Sequence, residues 1–152
     1  MKAVLDTNVW LDWLVFAEPT VAPIARSVES GALTPLGSDE TRAEWLDVIA
    51  RPVFRLDDAA RAAAAATADR GVRRCARAPS GTLACRDRDD QKFVDLAVAE
   101  RAAWLITRDK ALLALARRAD RAHALSIVRP EAAALQVALS VGQGLSTRRA
   151  NL

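Results

Sequence analysis

Several residue types that carry common enzymatic chemistry are scarce in this chain of 152 residues. The one histidine, His123, excludes a Ser-His-Asp triad and most imidazole general-base mechanisms unless that residue is itself the base. The two cysteines, Cys75 and Cys85, have neither CxxC spacing nor a nearby histidine, which argues against a zinc site. We interpret them as reduced core or surface thiols. Any hydrolytic chemistry must then come from carboxylates.

Long hydrophobic runs are also missing. No apolar run approaches the ~20 residues that span a bilayer, and Asp6 stands where a signal peptide needs its apolar core. We therefore expect a soluble, cytoplasmic protein. Apolar residues make up 51% of the chain, which suits one folded domain. The net charge is +3, and 19 of the 22 basic residues are arginine, so a polyanionic partner is permitted without being required.

The N-terminus predicts a buried strand that ends on an acid. Residues 3–5 are apolar, too few for a helix, and are followed directly by Asp6. Ligands of open α/β sheets bind outside the carboxyl ends of the strands, so Asp6 is a candidate ligand with Thr7 and Asn8 beside it. The alternative is that Asp6 only caps a helix beginning near Val9.

Strand and helix signals alternate along the rest of the chain. Further strands are predicted at 32–36, 72–76, 104–107 and 125–128, and helices at 9–17, 20–30, 39–50, 59–71, 93–101, 112–115 and 130–139. This alternation predicts one α/β domain over residues 1–140 with a mostly parallel sheet, followed by a flexible basic tail at 141–152. The large aromatic residues fall in apolar periods and are interpreted as core rather than as base-stacking platforms: Trp10, Trp13, Phe93, Trp45 and Trp104.

Acids recur where these elements end or begin. The strand at 104–107 runs into Asp109 as the first strand runs into Asp6, so both acids are expected at one sheet edge. The cluster 87–90 stands at a helix start, and Glu44 can join from its own helix. Carboxylates within ~6 Å of one another repel and are tolerated mainly around a divalent cation. Oxygen-only ligands indicate Mg²⁺ or Mn²⁺, and hence metal-assisted phosphodiester hydrolysis.

The same segments, in this order, resemble the PIN-domain family. They are MKAVLDTNV at the N-terminus, EWLDVIARPVF in the middle, and CRDRDDQKFVDLAVAERAAWLITRDKALL further on. Within the family, the chain looks most like toxin components of toxin–antitoxin systems, relatives of the VapC-type ribonucleases. The resemblance covers residues 1–138. It implies a PIN-like three-layer fold, with a sheet of about five strands in the order 3-2-1-4-5 and helices on both faces.

The resemblance also implies the site. The four acids that would bind Mg²⁺ or Mn²⁺ carry over to Asp6, Glu44, Asp90 and Asp109. The polar positions that would orient ligands carry over to Asn8 and Thr107, with Thr7 a weaker candidate. Because several acids crowd the third position, Asp87 or Asp89 can share or replace the role of Asp90.

The function implied is that of a Mg²⁺- or Mn²⁺-dependent endoribonuclease. Its partners would be RNA and a small antitoxin protein that occludes the pocket, and it would form a homodimer. One alternative is a module that keeps the fold and binds RNA or a partner without catalysis. Another is a phosphatase with Asp6 as a covalent nucleophile, which ranks low because Asn8 stands where that family has a second aspartate.

Overall fold

A parallel sheet of five strands forms the centre of the computed structural model, which describes residues 1–138. The strands are β1 (Lys2–Leu5), β2 (Thr34–Gly37), β3 (Arg73–Arg74), β4 (Trp104–Ile106) and β5 (Ser126–Val128). Their order across the sheet is β3-β2-β1-β4-β5, and every neighbouring pair is parallel. The α/β class and the strand order implied by the resemblance are confirmed.

Helices connect the strands and cover the sheet. They are α1 (Thr7–Leu14), α2 (Ala22–Glu29), α3 (Asp39–Ile49), α4 (Asp58–Gly71), α5 (Gln91–Ala99), α6 (Lys110–Leu113) and α7 (Ala116–His123). Two short 3-10 turns lie at Pro19–Val21 and Pro52–Phe54, and residues 130–138 are also helical. No helix within residues 1–138 is both long enough and apolar enough to cross a bilayer.

The alternation of side chains along the central strand divides the core into two layers. Ala3 and Leu5 pack with residues of α1 to α4, whereas Val4 packs with residues of α5, α6 and α7. The first layer holds Trp10, Ile24, Trp45 and Ala64, and the second holds Phe93, Leu112 and Ala119. Because each face of the sheet has its own helical layer, the predicted three-layer arrangement is confirmed.

The interpretation of the aromatic residues as core is also confirmed. Trp10, Trp45, Trp104 and Phe93 are buried, and the half-buried Trp13 stacks on Trp10 with 5.2 Å between ring centroids. Cys85 is buried and Cys75 half-buried, and both are free thiols. Burial raises the pKa of the Cys85 thiol, which favours its protonated form.

Two helix predictions need correction. The first helix begins at Thr7 rather than Val9, because the chain turns directly after Asp6, whose backbone is still extended. The helix predicted at 112–115 is one turn, α6, followed by a separate helix, α7, that the prediction missed. Only Ala119 of α7 is buried, so this helix lacks the apolar period on which the prediction depended. The predicted tail at 141–152 and the end of the last helix at Leu139 lie outside the described residues.

Candidate active site

The carboxyl ends of β1 and β4 bring the first and last predicted acids to one sheet edge. Leu5 pairs with Ile106 across the two strands, and the backbone N–H of Asp6 donates to the Ile106 carbonyl at 3.0 Å. Thr107 follows β4 as Asp6 follows β1. Two residues far apart in the chain therefore become neighbours in a fully parallel ladder.

Asp6 is buried and held by side chains rather than used as a cap. It occupies the N-cap position of α1, yet its carboxylate accepts no cap hydrogen bond. Its Oδ2 instead accepts hydrogen bonds from Thr107 Oγ1 at 2.5 Å and Asn8 Nδ2 at 2.7 Å. Burial raises the pKa of Asp6, the hydrogen bond from Thr107 opposes the rise, and the charge of Glu44 adds to it. This geometry disfavours the alternative that Asp6 serves only as a cap.

Asp109 combines a cap with a position on the cavity. Its Oδ1 accepts hydrogen bonds from the backbone N–H groups of Ala111, at 2.6 Å, and Leu112, at 3.1 Å. Its own N–H donates to Thr107 Oγ1 at 2.9 Å. No residue within 1–138 donates a hydrogen bond to the other carboxylate oxygen of Asp109, Oδ2. One oxygen thus fixes the side chain while the other is available to a ligand.

Asp90 carries the strongest electrostatic signal in the site. It stands directly before α5, and its carboxylate makes no cap hydrogen bond. Burial, and then the charges of Asp6, Asp109, Asp87 and Glu44, raise its pKa from 3.8 to about 7. Acids from four separate parts of the chain therefore share one electrostatic environment.

The neighbouring acids of the cluster differ from Asp90 in their contacts. Asp87 is exposed, and its Oδ1 accepts the N–H of Asp89 at 2.9 Å, which closes a local turn. Asp89 lines the same cavity as Asp90, whereas Asp87 is not among its lining residues. The structure thus brings Asp89 and Asp90 to the cavity, and Asp87 acts on it through its charge alone.

A clamp of polar side chains fixes the segment that leads into Asp90. Gln91 accepts the Cys85 N–H at 2.7 Å and donates to the Leu83 carbonyl at 3.0 Å and to Asp95 Oδ1 at 2.9 Å. The same Asp95 oxygen accepts the N–H of Gly81 at 2.9 Å. Because Asp95 is itself buried, the irregular segment is tied to the interior of α5.

Glu44 reaches the site from the middle of α3 and is held on both of its oxygens. Thr7 Oγ1 donates to Oε1 at 2.6 Å, and Lys92 forms an ion pair with Oε2. Thr7, the weaker candidate in the sequence, is therefore in direct contact with a predicted site acid. The contact also joins α1 to α3 beside the end of β1.

These side chains surround an open cavity of about 500 Å³. Its charged lining consists of five carboxylates and two cations: Asp6, Glu44, Asp89, Asp90, Asp109, Arg51 and Lys92. Asn8 lies on the wall, and its Oδ1 accepts the N–H of Arg108 at 3.3 Å. Sequence reasoning did not single out Lys92 or Arg51 as site residues. The position of Lys92 in the first turn of α5, two residues after the acid cluster, was a signal that could have identified it.

The donor chemistry of the cavity fits Mg²⁺ or Mn²⁺, although the acids do not form a closed cluster. Within residues 1–138, no group of three or more His, Cys, Asp or Glu side chains is arranged to hold a metal ion as it stands. Like charges without a cation between them stay apart, which accounts for acids spread along the cavity wall. The acidic donors are oxygens only, and the five carboxylates of the wall carry negative charge that a divalent ion would neutralise.

Comparison with known proteins identifies the class. A sequence profile described as PIN domain matches residues 2–111, so the chain belongs to the PIN-domain family. The fold is similar to that of a chain in the crystal structure of VapBC2 from Rickettsia felis bound to a DNA fragment from their promoter. That match has a TM-score of 0.59 and 13% sequence identity, and covers 85% of this chain and 98% of the other. None of the curated proteins matches. PIN domains are generally nucleases that depend on divalent metal ions.

Proposed function

We propose that this protein is a Mg²⁺- or Mn²⁺-dependent endoribonuclease and the toxin of a toxin–antitoxin pair. The observation that carries the proposal is the convergence of five carboxylates on one cavity, those of Asp6, Glu44, Asp89, Asp90 and Asp109. Burial, and then repulsion by neighbouring acids, raise the pKa of Asp90 to about 7. Such mutual repulsion at a sheet edge is unfavourable in a purely structural site and useful in one that receives a cation. Membership of the PIN-domain family supports the nuclease assignment.

In this proposal Asp6, Asp90 and Asp109 hold the metal ion. A bound divalent ion supplies Lewis-acid activation of water and neutralises charge on the scissile phosphate. Thr107 and Asn8 fix the Asp6 carboxylate through two hydrogen bonds to Oδ2. The cap bonds of Asp109 fix that side chain in the same way, so two of the three acids are oriented before any ligand binds.

The proposed partners follow from the same family assignment. The structural neighbour from Rickettsia felis is a VapBC2 complex, which supports a small antitoxin as partner. The antitoxin would cover the acidic cavity and block access of RNA. We also propose a homodimer and a cytoplasmic location. The single domain spans residues 1–140 in this proposal, with 141–152 as a basic tail.

The direct test is cleavage of a mixed single-stranded RNA by the purified protein with Mn²⁺ and with EDTA. The double variant Asp6→Asn, Asp109→Asn should lose metal-dependent cleavage. A matched control, Asp58→Asn with Asp120→Asn, removes two exposed carboxylates outside the cavity and should cleave like wild type.

Each other outcome identifies a different error. Cleavage retained by the Asp6, Asp109 variant would mean a contaminating nuclease or a wrong site. RNA binding without turnover, unaffected by Mn²⁺, would favour the non-catalytic module. Hydrolysis of a phosphomonoester instead of RNA would favour the phosphatase alternative.

A further inference from the structure

Lys92 is a lysine inside an acidic cavity, and the roles proposed above do not use it. It lies in the first turn of α5, and only 18% of its side chain is exposed. Its ammonium group contacts the Glu44 carboxylate and the Asp89 carbonyl, and it lies 5.0 Å from the centroid of the Phe93 ring. Burying an ammonium group is unfavourable unless it is paired, so the contact with Glu44 accounts for its position.

Glu44 differs from Asp6, Asp90 and Asp109 in that a cation contacts one of its oxygens. Thr7 occupies Oε1 and Lys92 occupies Oε2. By contrast, no residue within 1–138 donates a hydrogen bond to the Asp90 carboxylate or to Oδ2 of Asp109. Hydrogen bonds alone leave a carboxylate with lone pairs for a metal ion, but the ammonium group of Lys92 on Oε2 would repel a divalent cation at that oxygen, which makes Glu44 the least favourable ligand of the four acids.

We propose that Lys92, the cavity cation that pairs with Glu44, holds Glu44 outside the metal shell and leaves Asp6, Asp90 and Asp109 for the ion. The assignment rests on the proposed function, because it requires that the cavity bind a divalent metal. Lys92 is then a positioning residue that acts through Glu44. The ion pair cancels one of the five negative charges on the cavity wall.

The test is the affinity for Mn²⁺ alone, measured by calorimetry at low salt. A unit charge about 6 Å from a divalent ion changes its binding by about tenfold at the dielectric constant of water. Lys92→Met should therefore bind Mn²⁺ about tenfold more tightly than wild type, and Glu44→Gln about tenfold more weakly. The double variant Lys92→Met, Glu44→Gln removes a pair with no net charge, so its Mn²⁺ affinity should lie within about twofold of the wild-type value. Arg117→Met, which removes an exposed cation on α7, should leave the affinity unchanged.

A direct bond from Glu44 to the metal gives a different pattern. Glu44→Gln would then lose far more affinity than Lys92→Met gains, and the double variant would stay weak. That result would overturn the assignment, as would unchanged or weaker Mn²⁺ binding by Lys92→Met.

A second measurement does not depend on metal. In EDTA, Lys92→Met should lower the unfolding temperature, because Glu44 is left unpaired among other acids, and adding Glu44→Gln should restore most of the loss. Failure of this rescue would overturn the ion-pair assignment alone. Absence of Mn²⁺ binding by the wild-type protein would instead overturn the proposed function and the assignment of Lys92 with it.

Discussion

Replacement of Asp90 by asparagine should stabilise the metal-free protein while weakening its binding of metal. The Asp90 carboxyl has a pKa raised from 3.8 to about 7, first by burial and then by the charges of Asp6, Asp109, Asp87 and Glu44. Ionised Asp90 therefore opposes folding when no cation is present. The asparagine side chain keeps the shape of the carboxyl group and removes its charge.

The sign and size of the effect follow from proton linkage. Between pH 4 and pH 7 the folded protein holds a proton on Asp90 that the unfolded chain has released, so stability falls as the pH rises through this window. The rise from 3.8 to about 7 is roughly three units, or about 4 kcal/mol at full value. Asp90 is only half-buried and solvent screens its charge, so above pH 7 we expect ionised Asp90 to lower the free energy of unfolding by about 1–2 kcal/mol. That corresponds to an increase of about 2–6 °C in unfolding temperature.

Thermal unfolding followed by circular dichroism in EDTA measures this directly. The unfolding temperature of Asp90→Asn should exceed that of wild type at about pH 8.5, and the difference between them should shrink by more than half at about pH 5. Asp89→Asn, a change at the exposed neighbouring acid, should give a smaller difference. Excess Mn²⁺ should raise the unfolding temperature of wild type well above that of Asp90→Asn. A variant less stable than wild type at pH 8.5, or a gain independent of pH, would refute this account of the cavity.

Two further substitutions test the supports of the site. Thr107→Val removes the donor to Asp6 and the acceptor for the Asp109 N–H. It should therefore lower the free energy of unfolding, measured with urea, by about 1–3 kcal/mol. It should also raise the pKa of Asp6 further and move the acidic limb of the RNA cleavage profile to higher pH, and an unmoved limb would contradict the assigned contact. Asp95→Ala should cost about 1–3 kcal/mol and speed hydrogen exchange near Gly81, by releasing the clamp before α5. Exchange that rises equally throughout the protein would contradict a local clamp.

The strand ends were predictable because their signals are local. The apolar residues before Asp6 and those preceding Asp109 mark buried strands without reference to the rest of the chain. Parallel pairing then requires that both acids lie at one edge. The contact of Thr107 with Asp6 follows from the same register, because Thr107 directly follows β4 as Asp6 follows β1, and Asn8 lies only two residues after Asp6.

Other parts of the site depend on contacts that no local pattern encodes. Glu44 sits on a helix face like any solvated glutamate, and the residues alone could not distinguish it from Asp47 one turn along. Its pairing with Lys92 depends on how α3 and α5 pack over the sheet. Among Asp87, Asp89 and Asp90, the choice depended on a turn that leaves Asp87 away from the cavity wall.

Several ion pairs elsewhere in the described residues join specific partners, and Asp90 contrasts with them. Arg42 binds both oxygens of Asp69 at 2.8 Å, and Arg108 pairs with Asp12 and Glu131. Asp90 has no such partner within residues 1–138, and its neighbours are acids. A ligand at about 100 times its dissociation constant stabilises the folded state by about 2.7 kcal/mol, which exceeds the cost of about 1–2 kcal/mol expected for ionised Asp90. Metal binding can therefore offset the electrostatic cost of the cavity, and the metal-bound protein should be the more stable form wherever Mn²⁺ or Mg²⁺ is in excess.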